Sequence, residues 1–146
     1  MKNFFYIIIF LFSVLSFAQD VKLKKGDVII DDVIWMKYKE CGTFDSTCSL
    51  SNKNNEELIF FKFYNIKNAV PSTQHNPQGM FNYVEIKFLG LNKSFEIQKR
   101  QKAIIEILYN AKVLNEDGTL NPDNVSKVVE KYGSELSKEL NQKKYY

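Results

Sequence analysis

Histidine, arginine and tryptophan each occur once in this 146-residue chain, as His75, Arg100 and Trp35, beside two cysteines, three prolines and six glycines. A zinc centre wants four ligands, usually with closely spaced cysteines, and one histidine with two cysteines does not supply them. Arg100 is the single arginine among 20 basic residues. The planar guanidinium that engages phosphate or guanine bidentately is thus almost missing, and nucleic acid is not an expected partner. No GxGxxG, P-loop, GxSxG or HExxH string occurs, so no cofactor, no metal and no catalytic residue is implied. Scarce glycine and proline exclude collagen-like and disordered chains. A composition of 45% apolar and 25% charged residues fits one globular domain.

What is present begins with an address. Lys2 precedes an apolar run from Phe4 to Leu15, and Ser16-Phe17-Ala18 offers the small-residue exit that a signal peptidase reads. The run from Phe4 to Ala18 is shorter than the ~20 residues needed to span a bilayer. The expectation is a cleaved signal peptide over 1–18, cut after Ala18, and a mature single α+β domain over 19–146. That domain is expected to be periplasmic or secreted, with no transmembrane segment. No cysteine follows the apolar run, so the lipoprotein route is not encoded. In an oxidising compartment Cys41 and Cys48 read as a disulfide closing an eight-residue loop.

The first half of the domain has strand character. Val21–Leu23, Val28–Ile30 and Val33–Met36 are short β-branched runs, the last two separated by Asp31-Asp32, a gap of hairpin length. A strand near Thr43–Leu50 carries Cys48. Glu57–Tyr64 is apolar on both faces apart from Lys62 and reads as a central strand. In Phe81–Phe88, Val84, Ile86 and Phe88 alternate with Phe81, Tyr83, Glu85 and Lys87. The period then changes to 3.6. Ile104, Ile107, Leu108 and Ala111 form one helical face, although Lys99, Arg100 and Lys102 mark its start poorly. Asn121-Pro122-Asp123 is a strong start signal for a second helix, with Gly133 as its C-terminal cap. Leu136 and Leu140 continue its stripe, through a restart at Ser134 or an unbroken helix. The expected fold is an antiparallel β-meander of five to six strands followed by two C-terminal helices packed on one face.

Three features bear on function. Asn115-Glu116-Asp117-Gly118 has the outline of a calcium loop, but in that register Val113 and Asn124 stand where carboxylates belong, so it reads as a turn between helices. The segment from Pro71 to Met80, carrying His75, is longer than a hairpin requires. With helices on the Val84 face, Phe81 and Tyr83 point to the other, where Trp35 joins them. These rings form either a second small core or, with His75, a partner-binding patch.

The order KKGDVIIDDVIWMKY, ELIFFKFYNI, MFNYVEIKFLG and VLNEDGTLNPDNVSKVVEKYG resembles a group of small exported proteins of Gram-negative bacteria. The resemblance covers roughly residues 19–135. It implies a periplasmic or secreted domain and carries over neither a catalytic residue nor a substrate. Two function classes follow. One is a non-enzymatic binding module acting on a protein or other envelope surface component through Trp35, His75, Phe81 and Tyr83. The other is a small secreted hydrolase or an inhibitor.

Overall fold

The computed structural model describes residues 20–143, so the leader expected over 1–18 lies outside the described residues. Seven strands form one sheet in simple sequential order: β1 (Val21–Lys24), β2 (Asp27–Ile30), β3 (Val33–Lys39), β4 (Thr47–Ser51), β5 (Glu57–Ile66), β6 (Phe81–Phe88) and β7 (Lys93–Ile97). Every neighbouring pair is antiparallel. Three helices follow: α1 (Gln101–Asn110), α2 (Pro122–Tyr132) and α3 (Leu136–Lys143). The chain is α+β as expected, but with seven strands instead of five to six and three helices instead of two. The additional strand is β7. It is only five residues long and contributes just Phe95 and Ile97 to the core, too brief an alternation to stand out. The additional helix arises at Gly133, whose backbone is extended, with φ −64° and ψ 129°. A Cβ there would come within 2.3 Å of the Val129 carbonyl oxygen.

Register explains the core. Cys48 faces Phe61, which faces Ile86, which faces Phe95, and Leu50, Ile59 and Phe88 form the parallel row beside them. All seven are buried. On β5 the other face is only partly covered, with Leu58 buried, Phe60 and Tyr64 half-buried and Lys62 exposed; the strand lies inside the sheet, between β4 and β6. Helix α1 lacks a side-chain N-cap and has no acid in its first turn. It is held instead by Ile104, Ile105 and Leu108, all fully buried, since amphipathic burial outweighs propensity in a short helix. Helix α2 follows its local signals. Asn121 accepts a hydrogen bond from the Asn124 amide and Pro122 opens the first turn. Helix α1 contacts β1 and α2 contacts β7, so the pair spans the core face from one sheet edge to the other. Helix α3 reaches β7 from its opposite face, where the Ser137 amide donates to Glu96 Oε2 at 2.7 Å. Among the described residues no helix is long and apolar enough to cross a membrane.

The Asp31-Asp32 turn holds both residues at positive φ, 50° and 64°, as a type I′ hairpin requires and as aspartate tolerates better than most residues. Cys41 and Cys48 form a disulfide with Cα atoms 4.4 Å apart. It indicates a non-cytoplasmic, oxidising compartment.

Candidate functional site

A bulge in β3 redirects the single tryptophan. Val28 pairs with Met36 and Ile29 with Ile34, leaving Trp35 without a partner on β2. Such an extra residue re-aims side chains locally. Ile34 therefore stays exposed while Met36 is fully buried, and Trp35 meets Tyr109 of α1 edge to face, with ring centroids 5.6 Å apart. Trp35 consequently does not join Phe81 and Tyr83. It sits on the helix side of the sheet, three strands away from β6, or roughly 14 Å at the usual strand spacing.

The Trp35–Tyr109 pair lines a cleft of about 430 Å³ at the end of the sheet where the β2–β3 and β4–β5 turns meet the loop between α1 and α2. Ile30 and Leu114 extend its apolar lining, and Val33 and Ile34 form an exposed apolar lip, 65% and 46% exposed. The opposite rim is polar, with Asn54, Glu116 and Asp117. Asn52, 4% exposed, fastens the two sides. Its Oδ1 accepts from the backbone amides of Asn54 and Glu56, both at 3.0 Å, while its Nδ2 donates to Glu56 Oε2 at 3.0 Å and to the Gly118 carbonyl at 3.4 Å.

The rim loop uses its own polar groups. Asp117 Oδ1 accepts from the Thr119 hydroxyl at 2.6 Å and amide at 2.9 Å. These bonds, the hydroxyl first, hold its carboxyl below the usual range. Asn115 donates to Thr119 Oγ1 and the Leu120 carbonyl and accepts from Asn121. The residues that suggested a calcium loop are therefore committed to a turn. Among the described residues no group of three His, Cys, Asp or Glu side chains comes together as a metal site.

The other expected residues lie elsewhere. His75 is exposed at the tip of a finger connecting β5 to β6. This segment is an irregular continuation of the hairpin. The Asn68 amide donates to the Gln78 carbonyl, that of Ala69 to Gly79, and Thr73 and Asn76 bond reciprocally around Gln74-His75. Gly79 is required where the finger narrows, with φ +54° and a hypothetical Cβ 2.2 Å from the Val70 carbonyl oxygen. Phe81 and Tyr83 do share the outer face. Phe81 is half-buried, Tyr83 is 6% exposed, and their ring centroids are 6.1 Å apart. The structure thus brings together Phe81 and Tyr83, and neither with Trp35. Tyr109, Leu114 and Asn52 are the cleft residues that sequence reasoning missed. Tyr109 falls beside the apolar stripe of α1 rather than within it, and only the bulge at Trp35 gives it a partner.

A second prominent feature lies at the opposite end of β3. Phe44 is 99% exposed in the loop closed by the Cys41–Cys48 disulfide. The loop is pinned, because the Gly42 amide donates to Asp45 Oδ2 at 2.6 Å, the Asp45 amide to the Gly42 carbonyl, and the Phe63 amide to the Ser46 carbonyl. The chain matches no family model, no curated protein and no solved structure.

Proposed function

We propose that this chain is an exported, non-enzymatic binding module of the periplasm or secreted fraction, released by cleavage after Ala18, that takes an apolar or aromatic side chain of a protein partner into the Trp35–Tyr109 cleft. The observation that carries this reading is the cleft's construction: an aromatic pair with an exposed apolar lip, backed by a buried and fully hydrogen-bonded Asn52. Binding sites are concave, mostly apolar and aromatic, with a few polar groups that fix orientation. About 150 Å³ of apolar cavity accepts a benzene ring, and this cleft is larger. The disulfide supports export, as does the leader pattern at the N-terminus.

Trp35 is the chain's one tryptophan, so its fluorescence reports on the cleft alone. Titration with N-acetyl-phenylalaninamide is expected to change Trp35 emission saturably, and Leu114→Asp is expected to abolish the change while the fold's circular dichroism is kept. No change up to the solubility limit of the amide would overturn the reading.

A further inference from the structure

We propose that the cleft's partner is a second copy of this chain, whose Phe44 enters it, so that the molecules associate head to tail. The proposal rests on the reading of the cleft as a side-chain binding site. It supplies the occupant from the chain itself.

The knob and the hole are both on the molecule and cannot meet within it. Phe44 projects from the β3–β4 connection, whereas the cleft surrounds the β2–β3 and β4–β5 turns at the other end of the same strands. From Ile34 to Lys39 β3 alone covers roughly 17 Å at the usual rise per residue. A wholly exposed phenylalanine on a flexible loop would lose conformational freedom on binding. Here a disulfide and the Asp45 bonds to Gly42 have already fixed the loop, and such preorganisation removes part of the cost of association. Buried aromatic anchors seated in well-packed pockets dominate interface energies.

Charge supports the same pairing. The cleft end presents Asp31, Asp32, Glu116 and Asp117, all exposed, with Lys53 on the cleft rim and Lys22, which bridges Asp20 and Asp32, as the opposing cations. At the Phe44 end of β3 the Tyr38 amide donates to the Gly26 carbonyl of the β1–β2 turn. There stand the exposed lysines Lys24, Lys25, Lys39 and Lys62, with exposed Glu40 and Asp45 and half-buried Asp27 as the opposing acids. Opposite potentials steer encounter and fix orientation. The two surfaces are different patches of one chain. The contact is therefore heterologous and propagates from copy to copy, instead of closing as a two-fold dimer does.

The test uses the mature chain in sedimentation velocity over a range of concentrations at low and high salt. Wild type is expected to form concentration-dependent dimers and longer species that weaken as salt rises. Phe44→Ser removes the knob, and Ile34→Glu places a charge on the exposed lip of the cleft. Each alone is expected to weaken association about thirtyfold or more, as loss of an interface anchor does. Because Phe44 and Ile34 are both exposed, neither change threatens folding. An equimolar mixture of the two variants retains one intact knob and one intact cleft, and is expected to recover dimers but nothing longer. A wild type that stays monomeric at millimolar concentration overturns the proposal, as does a mixture that recovers no dimer or a Phe44→Ser variant that associates like wild type. If Trp35 still responds to N-acetyl-phenylalaninamide in those cases, the cleft binds side chains but not those of this chain.

Discussion

Tyr64 and Tyr83 face each other across β5 and β6 with their rings parallel to within 8° and their centroids 4.7 Å apart. The Tyr64 hydroxyl donates to Glu85 Oε2 at 3.1 Å, and Phe81 packs beside the pair. Cross-strand aromatic pairs add to sheet stability beyond the area they bury. With Tyr83 almost entirely covered, Tyr83→Ala is expected to lower unfolding stability by about 3 kcal/mol, the usual cost of truncating a buried ring. Phe81→Ala, half-buried, should cost clearly less. Urea denaturation of both variants checks this, and a loss under ~1 kcal/mol at Tyr83 would refute the packing.

The same burial sets a pH dependence. Desolvation raises the Tyr83 hydroxyl above the ordinary tyrosine range, and the negative charges of Glu96 and Glu85 and the neighbouring Tyr64 push the same way. A group whose folded pKa is raised stabilises the fold fully below its unfolded pKa, near 10 for tyrosine, and loses that contribution as pH climbs through the folded value. Stability is therefore expected to fall above pH ~10, and Tyr83→Phe should flatten that fall. Spectrophotometric titration at 295 nm should show one tyrosine ionising late in the wild type and absent from the variant.

Much of this architecture is legible residue by residue. The Val84–Ile86–Phe88 alternation, the apolar Glu57–Tyr64 run and the Asn121-Pro122 cap each reappear in the structure because period and capping are local properties. The Cys41–Cys48 bond is likewise a local matter of spacing and compartment. The cleft is not legible, because it depends on three loops meeting and on a one-residue bulge at Trp35. A strict two-residue alternation places Trp35 on the wrong face, and nothing in VIWMKY marks where the ladder slips. Phe44 is equally silent in sequence, since a phenylalanine is ordinarily read as core.

The disulfide yields a further expectation. Cys48 is fully buried and its sulfur accepts from Gln101 Nε2 at 3.1 Å, which ties the first turn of the uncapped α1 to β4. Replacing both cysteines by alanine is expected to lower stability by about 2.5 kcal/mol through the eight-residue loop closure. Gln101→Ala in the oxidised protein should cost about 1 kcal/mol, as loss of one hydrogen bond does. Thermal unfolding with and without reductant separates the two effects. Reductant should shift the wild type strongly and the double alanine variant not at all.

Asn52 offers the sharpest test of how the cleft is held together. Its Oδ1 receives two backbone amides while its Nδ2 faces two acceptors, Glu56 Oε2 and the Gly118 carbonyl. Asn52→Asp keeps the shape and the accepting oxygen but turns the donor into a second carboxylate oxygen. When ionised, that oxygen meets Glu56 and a carbonyl at hydrogen-bond distance in a buried position. Burial and the like charge raise the folded pKa of the introduced carboxyl above its unfolded value, near 3.9. As pH falls through ~3.9 the unfolded state becomes protonated as the folded one already is, and the protonated carboxyl can donate to Glu56, so the variant should move toward wild-type stability there. As pH rises the unfolded state ionises first, and the penalty grows until the folded group ionises as well, reaching about 2 kcal/mol or more at neutral pH. Asn52→Ala removes the same donor without adding a titrating group, so its penalty should change with pH much less than that of Asn52→Asp. Denaturation at pH 3.5 and 7.5 distinguishes these outcomes. An Asn52→Asp penalty that does not change with pH would mean that this side chain is neither buried nor beside Glu56 in solution.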